Sequence, residues 1–219
     1  MLKQSRSVSQ STYVAYTKGQ SLAARRRAET MEENRVKLIG AARRAFAASG
    51  FAGASMDDLT AEVGLTRGAL YHGFGDKKGL LAAVVAEVDS EMAERAQHAG
   101  SGAATDWERL IAEGEAYIEM ALDPEVRRIV LLDGPAVLGD PATWPSQNAC
   151  LDVTKQAVTR LIADGIMQPV DVDAASRLLS GAAFNAALWV SASDTPRTAL
   201  PKAIAAFRLM AEGFLVRRS

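Results

Sequence analysis

An all-α chain is predicted from three observations. Alanine is abundant and β-branched runs are scarce, which favours helix. Apolar residues recur at helical spacing through most of the 219 residues. Glycine, proline and capping residues stand between those stretches as stops and starts. Together they predict a head of three short helices, containing a helix-turn-helix, followed by a larger helical body. The expected bounds are an arm over 1–33, the head over 34–82 and the body over 83–219.

Residues 1 to about 20 are rich in Ser, Gln and Thr with little periodicity, so a mobile arm is expected there. Arg25, Arg26 and Arg27 follow, then Glu29, Glu32 and Glu33. That run reads either as a solvated helical face or as an arm lying on phosphates or in a minor groove. The first helix of the head is predicted from Asn34. Val36, Ile39, Ala42, Phe46 and Ala47 give its apolar stripe, Arg35, Lys37, Arg43 and Arg44 lie off it, and Gly50 ends it.

Ser55 is a good N-cap, and Asp57 and Asp58 fall where the helix dipole favours carboxylates. Leu59 and Val63 share one face, and Gly64 suits a helix end with positive φ. Thr66 caps a second short helix. Its Leu70 and Phe74 should pack inward, leaving Arg67, Gly68, Ala69, Tyr71 and His72 on the other side. Gly75 closes it. Asp76 caps a longer helix that runs through Leu80, Leu81, Val84, Val85 and Val88 to about Gln97. Lys77 and Lys78 in its first turn oppose the dipole, which makes better sense beside a phosphate.

In the body, Gly100 to Thr105 is a Gly/Ala/Ser loop. Asp106 opens a helix carrying Trp107, Leu110, Ile111, Tyr117, Ile118 and Leu122, and Asp123-Pro124 starts another through Val126 to about Leu132. Gly134 to Pro145, with its prolines and glycines, is expected to be a loop. Helices are then predicted over about 146–163, 171–192 and 195–216. The 171–192 helix is apolar nearly all round, so it must be covered on several sides. With the last helix, which carries Ile204, Phe207, Leu209, Met210 and Phe214, it could form a four-helix interface with a symmetry mate or an intrachain core.

The stretch from Ser55 to Leu81 carries the functional signal. A helix-turn-helix sets the start of its second helix nearest the bases. Arg67 could read guanine or hold a phosphate, and Tyr71 and Lys77 suit phosphate oxygens. Charge agrees: residues 1–80 hold 13 Lys and Arg against 7 Asp and Glu, while residues 81–219 hold 12 against 19. The balance of +6 against −7 is hidden in the net charge of −1.

The ordered combination of Ser55 cap, Gly64 turn, Leu70-Tyr71-x-x-Phe74 and Asp76-Lys77-Lys78 closely resembles the DNA-binding domain of the TetR family of bacterial transcription regulators. The resemblance extends over Asn34 to Ser49 and Gly50-Phe51, covering about 34–82. It implies an all-α homodimer whose heads bind a double-stranded, near-palindromic operator through Ser55 and residues 66–77. It also implies a body that binds a small effector and dimerises, with the effector usually releasing DNA. Three positions depart from the family's habit: Thr60 where alanine is frequent, Gly73 where His or Tyr is usual, and Gly75 where proline is common. They bear on the contact list, not on the fold.

An effector pocket inside the body could draw on Trp107, Tyr117, Met120, Trp144, Cys150, Phe184, Asn185 and Trp189, and the apolar surroundings suggest a largely apolar effector. Asn185 is an amide in an apolar helix and needs a partner if buried. Cys150, the single cysteine, could be a redox sensor or a small buried hydrophobe. With His72 and His98 the only histidines, no catalytic set or metal cluster is evident, so neither an enzyme nor a cofactor is expected. No apolar run approaches the roughly 18 residues of a membrane span. No apolar stretch follows Lys3 and Arg6 as a secretory signal would need, and a reducing bacterial cytoplasm suits the single thiol. Two alternatives remain open: the same regulator governed by Cys150 oxidation or a protein partner, and a helical small-molecule-binding protein that does not use DNA.

Overall fold

The computed structural model describes the backbone of residues 7–216 and the side chains of residues 25–216. Residues 1–6 of the expected arm, with Lys3 and Arg6, lie outside it. Among the described residues the regular elements are helical, and one isolated antiparallel bridge ties Met167 to Leu215.

The first helix, α1, spans Ser7–Gly53 and is interrupted at Gly50. It begins well before Asn34: an arm with little periodicity was expected to about residue 20, whereas over 25–33 the helix agrees with the solvated-face reading. From Gln20 to Ile39 there is no glycine or proline, and Ala, Arg and Glu favour helix, so nothing local stops it. Residues 25–33 are all exposed, and Arg25 pairs with Glu29 one turn on at 3.1 Å. The inward face of α1 is also rotated from the expected stripe. Leu38, Ala42 and Phe46, spaced by four, are buried with Ile39 and Ala41, whereas Val36 is 61 % exposed.

Helices α2 (Met56–Glu62) and α3 (Arg67–Phe74) complete the head, with Leu59 and Leu70 buried against α1. Helix α4 (Lys77–Gly100) leaves the head at Leu80 and Leu81 and enters the body at Val88, Met92 and Ala96, all buried. Helix α5 (Asp106–Glu119) opens with a capping box between Thr105 and Glu108 and packs along α4.

Next come a 3₁₀ turn (Met120–Leu122), α6 (Pro124–Val126), a π-helical turn (Arg127–Asp133) and α7 (Gly134–Leu138). The loop expected from Gly134 therefore begins only at Gly139. Gly134 donates its N–H five residues back to Ile129, and Pro135, which has no N–H to place, follows that junction without breaking the helix. Helix α8 is Pro145–Ala163, α9 is Val172–Ala192 and α10 is Pro196–Glu212. The last helix stops short of Val216 because Gln168 binds the Gly213 and Leu215 carbonyls at 3.2 and 2.9 Å. Helix α9 packs on α5, α8 and α10 through Leu179, Ala183, Phe184, Ala187 and Val190.

Head and body are joined at the α1 break. Gly50 takes φ 70°, and a Cβ there would fall on the Arg128 guanidinium. Arg128 reaches the Ser49 carbonyl at 3.5 Å, and Asp133 accepts the Phe51 N–H at 2.6 Å. The π-helical turn of the body thus takes up backbone groups freed by the break. Beside it, the Arg43 guanidinium is held by Glu125 of α6 at 2.8 Å and by Glu87 and Glu91 of α4 at 3.1 and 2.6 Å.

Candidate DNA interface and body cavity

Local chemistry fixes the helix-turn-helix. Asp58 donates its N–H to the Ser55 hydroxyl at 3.3 Å, and Ala69 donates to the Thr66 hydroxyl at 3.2 Å. Gly64 turns the chain with φ 67°, and Leu65 then donates to the Thr60 carbonyl at 2.9 Å. Thr60 is buried, and its hydroxyl is satisfied by the Met56 and Asp57 carbonyls, so threonine is accommodated where alanine is frequent.

The outward face of α3 carries Thr66, Arg67, Gly68, Tyr71 and His72, all exposed, with Ser55 exposed nearby at the start of α2. Ala69 is half-buried. Arg67 reaches back to Asp57 at 2.5 Å, so its guanidinium already has a carboxylate to exchange for another anion. Lys77 departs from the expected phosphate arm. Its ammonium donates to the Ala54 carbonyl at 2.6 Å and lies 4.8 Å from the Phe51 ring centroid, fastening the loop after α1. Lys78 beside it is exposed, as are Arg25, Arg26 and Arg27 on α1.

In the body, α4, α5, α8, α9 and α10 enclose a cavity of about 100 Å³. Its apolar wall includes Leu110, Leu179, Ala183 and Phe207, and its polar groups include Glu113, Tyr117 and Gln147. Gly114 makes room for the Phe207 ring, which a Cβ would approach to 2.5 Å.

Of the expected pocket residues, Tyr117 and Cys150 line this cavity. Trp144 and Phe184 are core, their rings edge-on at 6.3 Å. Trp107 is half-buried against that core outside the cavity, and Met120 borders a separate shallow depression with Arg95 and Asp123. Asn185 and Trp189 lie in the open groove between α9 and α10. The amide that would need a partner if buried is exposed in the protomer, on the face of α9 that opens into this groove.

Sequence reasoning missed Glu113, Gln147 and Phe207. Glu113 precedes Tyr117 by four on α5, a spacing that could have flagged it. Gln147 stands just after a proline-rich segment, with no sequence signal of its contacts.

Behind the cavity, Asp89 is fully buried on α4. Its Oδ1 accepts from the Gln147 amide at 2.8 Å, and the same amide nitrogen reaches the Tyr117 hydroxyl at 3.2 Å. Oδ2 has no hydrogen-bond partner. Burial raises the Asp89 pKa, with Ser146 and Gln147 pulling the other way. Burial, and then the Asp89 charge, lifts the Tyr117 phenol well above its usual range and the Cys150 thiol to about 11.

The comparisons with known proteins agree with this arrangement. Residues 38–84 match the family described as bacterial regulatory proteins, tetR family, and residues 107–214 match a tetracyclin repressor-like C-terminal domain. A TetR-family transcriptional regulator from Pectobacterium atrosepticum, known as a crystal structure, is 44% identical, with 87% of this chain and 98% of that one covered at a TM-score of 0.78. The chain belongs to the TetR family of transcription regulators.

The HTH-type transcriptional repressor AcnR of Corynebacterium glutamicum is 29% identical over 143 residues, 64% of this chain and 73% of AcnR. RolR, solved in complex with the ligand resorcinol, shares the fold at 18% identity and a TM-score of 0.64, covering 88% of this chain and all of that one. TetR-family regulators bind DNA operators as dimers and are not enzymes. The α2–α3 unit is accordingly the helix-turn-helix of this DNA-binding regulator. No helix among the described residues is long and apolar enough to cross a membrane.

The state of Cys150 separates the modes of control. A thiol with a pKa near 11 stays protonated at neutral pH and is a poor nucleophile. A Cys150→Ser variant is therefore expected to bind operator as the natural protein does, and brief peroxide treatment should change neither. An operator titration with and without peroxide checks this. Loss of binding on oxidation in the natural protein alone would establish redox control instead.

Proposed function

We propose that this TetR-family regulator is a repressor, released from a near-palindromic operator by a small, largely apolar effector bound in the body cavity. The observation that carries the reading is one helix, α4, that begins beneath the recognition helix and ends as a wall of the cavity. An effector can shift the heads only through its different affinity for the two states, and α4 gives both sites one shared element. AcnR, a relative of this chain, is a repressor.

In this reading Thr66, Arg67, Gly68, Ala69, Tyr71 and His72 meet the major groove, and Ser55 flanks it. Arg25, Arg26 and Arg27 lie along adjacent phosphates or the minor groove. The working units are the arm over 1–33, the head over 34–82 and the body over 83–219. Two copies join through α9 and α10, setting the heads roughly 34 Å apart, one turn of DNA. The regulator works in the cytoplasm, on the nucleoid.

The test is a selection from genomic fragments at two salt concentrations. One near-palindromic sequence should be enriched, with affinity falling steeply in salt. Tyr71→Ala should fold normally, since Tyr71 is 51 % exposed, and bind that site roughly tenfold or more weakly. Enrichment of no sequence at either salt would overturn the reading.

A further inference from the structure

The cavity's chemistry narrows the effector further, granted that the cavity is the effector site. None of its lining residues is Lys, Arg or His. Its carboxyl groups are Glu113 in the wall and Asp89 one layer behind. An anionic ligand would meet these carboxyls with no cation in the lining to pair with it.

Three hydrogen-bond donors around the cavity are already spent. Gln147 serves Asp89 and Tyr117, Thr154 donates to the Cys150 carbonyl at 3.2 Å, and Ser180 donates to Thr154 at 3.3 Å. Beside the Tyr117 O–H and the Gln97 amide, what remains is accepting capacity. Among the described residues nothing hydrogen-bonds the Glu113 carboxylate. Arg109 and Arg160 act on it through charge alone, and both are tied to Asp106 at 3.4 and 3.3 Å. Asp89 Oδ2, buried behind that wall, makes no close hydrogen bond, although the Ser146 hydroxyl acts on the same carboxyl.

We infer that the effector is a compact apolar amine, protonated at neutral pH, whose ammonium group donates to Glu113 and whose body rests on Leu110, Leu179, Ala183 and Phe207. Glu113 and Tyr117 are four apart on α5, so the carboxylate and the phenol ring share one face. The Tyr117 ring lies in the same wall, and the Tyr117–Gln147–Asp89 chain sets a second carboxyl behind it. Burial also lifts the Glu113 pKa, which means that its charged form lacks solvation in the empty cavity and gains from a cation.

Three size-matched probes test this: phenethylamine, phenethyl alcohol and phenylacetate. Each is titrated at neutral pH into the full-length protein by calorimetry, alongside Glu113→Gln and Val153→Trp. Val153 lines the cavity and is 40 % exposed, so tryptophan there plugs the entrance without disturbing the core. The amine should bind about tenfold or more tighter than the alcohol, with phenylacetate weakest. Glu113→Gln should remove the amine's advantage and leave the alcohol's affinity unchanged, and Val153→Trp should abolish all binding. If the alcohol or the carboxylate binds as tightly as the amine and Val153→Trp blocks it, the cavity stands as a ligand site and the cationic class is overturned. An advantage that survives Glu113→Gln overturns the role of that carboxylate. If no probe binds, or Val153→Trp leaves binding intact, the cavity itself is not the effector site.

Discussion

Trp189→Asp is expected to make the regulator monomeric and to weaken operator binding by about 10²–10⁴-fold, the gain normally supplied by linking two heads. Trp189 is 51 % exposed in the protomer, beside Leu178 at 61 %, with Leu209 at 73 % and Met210 at 39 % on α10. Gly181, Ala182 and Ala186 lie between them in the same groove and let a second helix approach closely. So large an apolar face, with Arg177 as its only charge, calls for a partner, and two-fold symmetry would lay the same face on itself. An aspartate there would bury a carboxylate from each copy in an apolar seam. Helical content and head folding should not change, because the side chain is 51 % exposed in the protomer and lies in the groove between α9 and α10, outside the head. Light scattering and operator titration on the same sample check both halves. A dimer with full affinity would mean that the copies meet elsewhere.

The head was legible in the sequence because its determinants are local. Ser55, Gly64, Thr66, Gly75 and Asp76 each act on backbone within a few residues, and each sits where its capping or turn chemistry demands. The run from Pro124 to Leu138 was only partly legible. Its continuity depends on a π-helical turn that packs on α1, which no local rule for glycine and proline conveys.

The cavity was less legible again, because it draws its walls from residues as far apart as Ala93 and Phe207. Tyr117 and Cys150 stood out against apolar neighbours, whereas Glu113 looked like any surface glutamate on α5. Asn185 misled for the opposite reason. Its helix is apolar all round, but in one protomer the face that carries the amide has nothing on it. Lys77 has the right residue type for a phosphate, yet the nearby Ala54 carbonyl and Phe51 ring claim its ammonium first.

Arg43→Met should destabilise the protein by about 2 kcal/mol and change how its stability depends on pH. Arg43 is 21 % exposed, and Glu125 and Glu91 each grip it with both carboxylate oxygens, while Glu87 adds a third carboxylate. Breaking a buried network of this kind costs about 3–5 kcal/mol. Glu87 and Glu91 are 42 % and 48 % exposed, so solvent screens part of that loss. The Arg43 hydrogen bonds, ahead of its charge, hold the Glu91 carboxyl below its usual range. A depressed carboxylate stabilises the fold above its unfolded pKa, about 4.3, and that stability is lost as pH falls through the lower folded value. With methionine the three glutamates only repel one another, and acid relieves them. Urea titrations should therefore show the gap between the two proteins widest above about pH 5 and narrowing towards pH 3. Arg43→Lys should recover part of the loss, since it restores the charge without the fork that engages two carboxylates at once. A pH-independent gap would mean that Arg43 acts through packing alone, and a gap below about 0.5 kcal/mol, the range of ordinary surface substitutions, would mean that water screens the network fully.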